Sequence, residues 1–205
     1  ISAKVMLLPY IEQAAIWDSF VAAAGRVAPG SSPWSSAEEW QHRRKIATYI
    51  CPSDGKAGET SNSGWAELQT GRANIIFCSG DAPWACHYAQ KYEGNANGRT
   101  GSRGMFRPEE FRNLSFCTDG TSNTLAISET CVGDQYEPTV KGGVAVAGTM
   151  YDGVTGVPGN CLIEGYDPND STRIRTPGDA WRGTLWYDGR AASSCFTATV
   201  PPNSP

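Results

Sequence analysis

The chain has 205 residues, enough to bury one core, and its formal net charge of -4 supplies no basic surface for neutralising phosphates, so nucleic acid is excluded as an expected partner. Charged residues make up only 19%, while 23 glycines and 13 prolines favour a strand-rich and loop-rich fold over a helical one. Seven cysteines, Cys51, Cys78, Cys86, Cys117, Cys131, Cys161 and Cys195, lack Cys-x-x-Cys spacing, which points away from zinc ribbons and thioredoxin chemistry and towards disulfides in an oxidising compartment.

No run approaches the roughly twenty apolar residues that span a bilayer. No leader pattern is visible, so any leader is expected upstream of Ile1, and export is inferred from the cysteines. Val5, Leu8, Ile11, Ala15, Ile16, Phe20 and Ala23 recur near helical spacing. Because proline suits a first helical turn, the pattern predicts a break near Leu8 and a helix from about Pro9 to Ala24, closed by Gly25. Ser36 and Glu39 stand at capping-box spacing and predict a second helix from Ala37 to about Ala47. His42-Arg43-Arg44-Lys45 follows Glu38-Glu39 as a solvated helix face.

After Lys45 the pattern changes to short β-prone runs. Ile46–Cys51 ends at Pro52-Ser53-Asp54-Gly55, and further runs lie at Ala73–Cys78, Leu114–Cys117, Thr124–Ser128, Gly143–Ala147, Cys161–Ile163 and Cys195–Val200. Thr60–Gly64, Gly94–Gly104 and Tyr166–Thr176 are polar and predict surface loops. Helix first and strands after is the α+β order. The expected organisation is a single domain over 1–205, helical over 1–48 and strand- and loop-rich over 49–205.

Catalytic chemistry has little to build on. The two histidines are His42, on the charged face, and His87, beside Cys86, and adjacency in sequence does not make a dyad. Cys78-Ser79-Gly80-Asp81 only superficially resembles a nucleophile loop, and no Gly-x-Ser-x-Gly, His-Glu-x-x-His or P-loop string occurs. Asp119-Gly120-Thr121-Ser122-Asn123-Thr124 reads as a turn closed by its own side chains, or as an oxygen-rich cation pocket without EF-hand spacing. Asp167-Pro168-Asn169-Asp170-Ser171-Thr172 is equally oxygen-dense. Trp34, Trp40, Trp65, Trp84, Trp181 and Trp186 lie near loops, where they serve as core fillers or as carbohydrate-stacking platforms.

Four strings occur in register with a known family. Leu7-Leu8-Pro9-Tyr10-Ile11-Glu12-Gln13, Cys51-Pro52-Ser53-Asp54, Asp119 to Thr124 with trailing Glu129, and Pro201-Pro202-Asn203-Ser204-Pro205 resemble the planctomycete-type prepilin-like family of unknown function (domain of unknown function 1559). Trp181 with Gly183 matches a further family string, as does Asn74, although Ile75 stands where Tyr is usual.

The resemblance implies a pseudopilin-related head domain, an N-terminal helix packed on an antiparallel sheet, with long loops and disulfides and with the long pilin helix absent from these residues. It implies an extracellular, cell-surface or periplasmic subunit of a type II secretion-like or surface filament. Its partners would be other pilin-like subunits or itself, with membrane contact only through the missing helix. The motif residues are Pro9, Glu12, Cys51, Pro52, Asp54, Asp119, Gly120, Asn123, Glu129, Trp181, Gly183, Pro201 and Pro202. By similarity to major pseudopilins, calcium is the cation expected at Asp167, Asn169 and Asp170. The final string is commonly followed by another cysteine, which would make the odd count even. An extracellular carbohydrate-binding module is the alternative, and no catalytic residue is expected.

Overall fold

The computed structural model describes residues 2–24, 43–57, 60–63, 68–80, 104–106, 112–133, 166–174, 182–189 and 191–198. The architecture is α+β. Helix α1 (Ala3–Leu7) runs into a 3-10 turn, Leu8–Ile11, and then into α2 (Ala14–Ala24). Pro9 sits in the first turn of the 3-10 segment, where its missing N–H costs nothing. The α-helix breaks near Leu8 as expected, but a second break follows at Glu12, which adopts φ 62°, so the helix expected from about Pro9 begins only at Ala14.

Strands β1 (Thr60–Ser63) and β2 (Leu68–Gly71) form an antiparallel hairpin. Strand β3 (Ile75–Gly80) is the middle of a three-stranded sheet, flanked by β4 (Ile127–Glu129) and β7 (Cys195–Thr197). Strands β5 (Tyr166–Asp167) and β6 (Asp170–Ile174) make a second hairpin. Helix α3 (Ala191–Ser194) leads directly into β7.

Several expectations need correction. The sheet is mixed: β4 pairs antiparallel with β3, but β7 pairs parallel with it, Phe77 opposite Cys195. The long connection from β3 to β7 permits a parallel pairing that no local pattern announces. Ala47–Tyr49 and Leu114–Phe116 are 3-10 turns where strands were predicted, because turn chemistry at Pro52-Ser53-Asp54 and Asp119-Gly120 outweighs their β-prone side chains. Thr60–Ser63 and Tyr166–Ile174, predicted as loops, are strands of hairpins. Most of the helix predicted from Ala37, and the runs at Gly143–Ala147 and Cys161–Ile163, lie outside the described residues.

None of the described cysteines, Cys51, Cys78, Cys117, Cys131 and Cys195, is bonded to another sulfur. Disulfide cross-bracing is therefore not what holds the described fold, while Cys86 and Cys161 lie outside the described residues. An apolar core does that work. Val5, Leu8, Phe20, Ile46, Tyr49, Ala73, Leu185, Trp186 and Tyr187 form one buried cluster drawn from both ends of the chain. Trp186 is wholly buried, with Phe20 edge-on at 5.6 Å, Tyr187 edge-on at 6.0 Å and Tyr49 tilted at 6.5 Å. Burying such a ring stabilises by about 3 kcal/mol. Strand β3 is nearly all buried, as a central strand packed on both faces must be. Among the described residues, no helix is long and apolar enough to cross a membrane.

Candidate functional site

Two of the family positions, the Cys51–Asp54 string and Asn74, meet in one polar knot. Cys51-Pro52-Ser53-Asp54 forms a turn in which the Asp54 N–H donates to Cys51 O at 3.1 Å. Asn74, almost wholly buried, accepts from Cys51 N at 2.8 Å and donates through Nδ2 to Asp54 Oδ2 at 2.7 Å and to Thr130 O at 2.9 Å. Asp54 Oδ2 also accepts from Val132 N at 2.9 Å, and its Oδ1 accepts from Lys56 N at 3.0 Å. Burial pushes the Asp54 carboxyl up, but the hydrogen bonds from Val132, Asn74, Lys56 and Ala57 outweigh it and hold the group below the usual carboxylate range. Three segments far apart in sequence are thereby fastened at one point.

Asp119-Gly120-Thr121-Ser122-Asn123-Thr124 is a surface turn. Gly120 has φ 86°, Asn123 Nδ2 donates to Asp119 O at 2.9 Å, and Thr124 Oγ1 donates to Gly120 O at 3.1 Å. The amide of Asn123 and the hydroxyl of Thr124 are thus committed to local backbone. On either side of the turn large apolar side chains face solvent: Leu114 is 69% exposed, Leu125 52% and Ile127 49%, with Phe116 beneath the Arg112 guanidinium at 4.0 Å. All three residues of β4, including Glu129, are exposed, and among the described residues β4 is an edge strand of its sheet.

In the second hairpin Asp167 stands opposite Asp170. Asp167 Oδ1 accepts from Asn169 N at 2.8 Å, and Asp170 Oδ1 accepts from Thr172 N at 2.9 Å and from Thr172 Oγ1 at 2.6 Å. Hydrogen bonds from Thr172 hold the Asp170 carboxyl below its usual range, with the Arg173 charge adding to the effect. Both carboxylates close their own turns, and calcium takes about six to eight oxygens, for which Asp167, Asn169 and Asp170 are the candidates in this hairpin. Among the described residues, no three His, Cys, Asp or Glu side chains gather as a metal site.

Sequence reasoning missed a second buried polar cluster. Lys4 is wholly buried in α1; its Nζ donates to Ser194 Oγ at 2.9 Å and lies 5.7 Å from the centre of the Phe77 ring. The Ser194 hydroxyl donates to Asp188 O, and Ser193 Oγ donates to Asp188 Oδ2 at 2.7 Å. Burial pulls the Lys4 ammonium down to about 8, opposed by the attraction of Cys195 and Asp188. Tyr49, whose hydroxyl donates to Lys4 O at 2.6 Å, is itself pushed up to about 12 by burial. With the Ser194 proton committed to a carbonyl and both groups sealed from solvent, the cluster ties α1 to α3. No sequence signal marks it, because one lysine in a short helix normally faces water.

The remaining candidates are dispersed. Pro9 is exposed and Glu12 lies at the left-handed turn. Ser79 is buried in β3, its Oγ donating to Phe196 O at 3.0 Å, so Cys78, Ser79 and Gly80 of the superficial nucleophile loop are strand residues. Gly183 has φ 69°, and a Cβ there would stand 2.3 Å from Ala73 O, which explains the family glycine. Trp186 is core, while Trp34, Trp40, Trp65, Trp84, Trp181, His42, His87, Pro201 and Pro202 lie outside the described residues.

The chain belongs to the family described as Protein of unknown function (DUF1559), whose model matches residues 2–203. No curated protein and no solved structure gives a significant match.

Proposed function

We propose that this chain is the exported head of a pilin-like or pseudopilin-like subunit, with a structural or binding role in a type II secretion-like or surface filament and without turnover. The observation that carries the reading is the exposed apolar edge around the family turn. Leu114, Phe116, Leu125 and Ile127 leave apolar surface in water beside edge strand β4, the combination that a neighbouring subunit would cover. The anchoring of α1 supports it further. Ser2 N donates to Tyr187 O at 2.9 Å and Ser2 Oγ to Trp186 O at 2.7 Å, so a pull on the helix is passed directly to the core.

The partner in this reading is a second pilin-like subunit or another copy, and the location is the cell surface, periplasm or exterior. The experiment is immunogold labelling of envelope preparations from cells carrying wild-type protein or the double variant Leu125→Lys, Ile127→Lys. Label along filaments that is lost in the variant, with the variant's circular dichroism unchanged, is the expected result. Label confined to the cytosol, or variant label on filaments equal to wild type, would overturn the reading. Selective retention on a glycan array by the folded wild-type head would favour the carbohydrate-binding module instead.

A further inference from the structure

We infer that Cys51 and Cys131 are one reversible bridging pair, a disulfide site closed by exchange with a small-molecule disulfide. The inference is independent of the filament reading. The two residues lie 80 apart in sequence, yet their backbones meet at the same Asn74–Asp54 knot. Cys51 N donates to the Asn74 amide oxygen at 2.8 Å, while the amide nitrogen of the same side chain donates to Thr130 O, the carbonyl preceding Cys131, at 2.9 Å. The residue following Cys131 is held as well, Val132 N donating to Asp54 Oδ2 at 2.9 Å, and Asp54 N closes back on Cys51 O at 3.1 Å. Cys131 is therefore gripped on both sides by groups that also grip Cys51.

An amide's oxygen and nitrogen are only about 2 Å apart, so one Asn74 side chain bridges the two cysteine segments through hydrogen bonds of 2.8 and 2.9 Å. A disulfide joins Cα atoms about 4.4–6.8 Å apart, so closing the bridge requires the exposed Pro52-Ser53 turn and the Thr130–Val132 segment to bring the two free thiols together. Access is graded in the right order: Cys131 is exposed and Cys51 half-buried, with its Sγ 3.0 Å from Ser53 Oγ. Cys78 is buried in β3 and Cys117 lies with its Sγ 3.7 Å from Met105 Sδ, so neither shares the knot.

The step balances with oxidised glutathione as the two-electron oxidant. The Cys131 thiolate attacks one glutathione sulfur, the glutathione S–S bond breaks, and one glutathione thiolate leaves. The Cys51 thiolate then attacks the Cys131 sulfur of the mixed disulfide, forming the Cys51–Cys131 bond and expelling the second glutathione. Two protein thiols are oxidised, one glutathione disulfide is reduced to two thiols, and the two protein protons go to the departing thiolates.

The test is peptide mapping of the folded, reduced chain after incubation with oxidised glutathione and quenching with N-ethylmaleimide. Cys117 and Cys131 share a tryptic peptide, since no Lys or Arg lies between Arg112 and Lys141, so fragmentation within that peptide must separate them. The expected product links Cys51 to Cys131, short of the reduced pair by the mass of two hydrogens. In Cys51→Ser the glutathione adduct on Cys131 should accumulate instead of being resolved. Stable glutathione adducts on both cysteines of the wild type, or linkage of either to another cysteine, would overturn the inference.

Discussion

Replacing Lys4 with Met removes an ammonium from the core while keeping an unbranched side chain of similar length. Burial lowers the Lys4 pKa from 10.5 to about 8, a displacement worth about 3 kcal/mol at ~1.36 kcal/mol per unit. Between these two values the folded chain has released the proton and the unfolded chain still holds it. The unfolded state then binds more protons, so the wild type gains stability as pH rises through this window, and below about 8 it carries the full cost of the buried charge. Lys4→Met has no such proton to lose. The wild type should therefore gain on the variant by about 3 kcal/mol from pH 7 to above 10, a difference in which the contributions of Tyr49 and the thiols cancel. At neutral pH the loss of the Ser194 hydrogen bond is offset by relief of the desolvation cost, and the variant should match the wild type to within about 1 kcal/mol. Urea unfolding followed by tryptophan fluorescence, under reducing conditions across that range, reads both quantities, since Trp186 packs in the same core. Parallel stability curves for the two proteins would refute the reasoning.

Asn74→Ala leaves Cys51 N, Thr130 O and Asp54 Oδ2 each without one partner and should destabilise by roughly 2–4 kcal/mol in urea unfolding; a loss under about 0.5 kcal/mol would show that the knot is incidental. Gly183→Ala forces an L side chain to φ 69° against Ala73 O and should cost about 2–3 kcal/mol. Gly55→Ala, where a Cβ meets nothing within 4 Å, serves as the near-neutral control. Because both carboxylates of the Asp167–Asp170 hairpin already accept hydrogen bonds within their own turns, millimolar calcium should leave the thermal midpoint unchanged. A rise in the midpoint abolished by Asp170→Asn would establish the cation site that the resemblance suggested.

What the sequence determined by itself was local. Helical spacing from Val5 to Phe20, the Asp-Gly turn at Asp119 and the apolar run of β3 each carry their instruction within a few residues, because periodicity and positive-φ glycine act over a single turn of chain. The order of helix before strands likewise announced the α+β class, and four short strings pointed to the family that the full-length match established. Tertiary structure decided the rest. The hairpin over Tyr166–Ile174 looks like a loop until its two halves pair, and β7 joins β3 in parallel through contacts more than a hundred residues apart. Lys4 is buried only because Ser194 and Asp188 come round from the far end of the chain to receive it. Asn74 becomes a keystone only when Cys51, Asp54 and Thr130 arrive beside it. Such groups depend on partners that no neighbouring residue supplies, and burial of a polar side chain is tolerable only where the folded chain provides them.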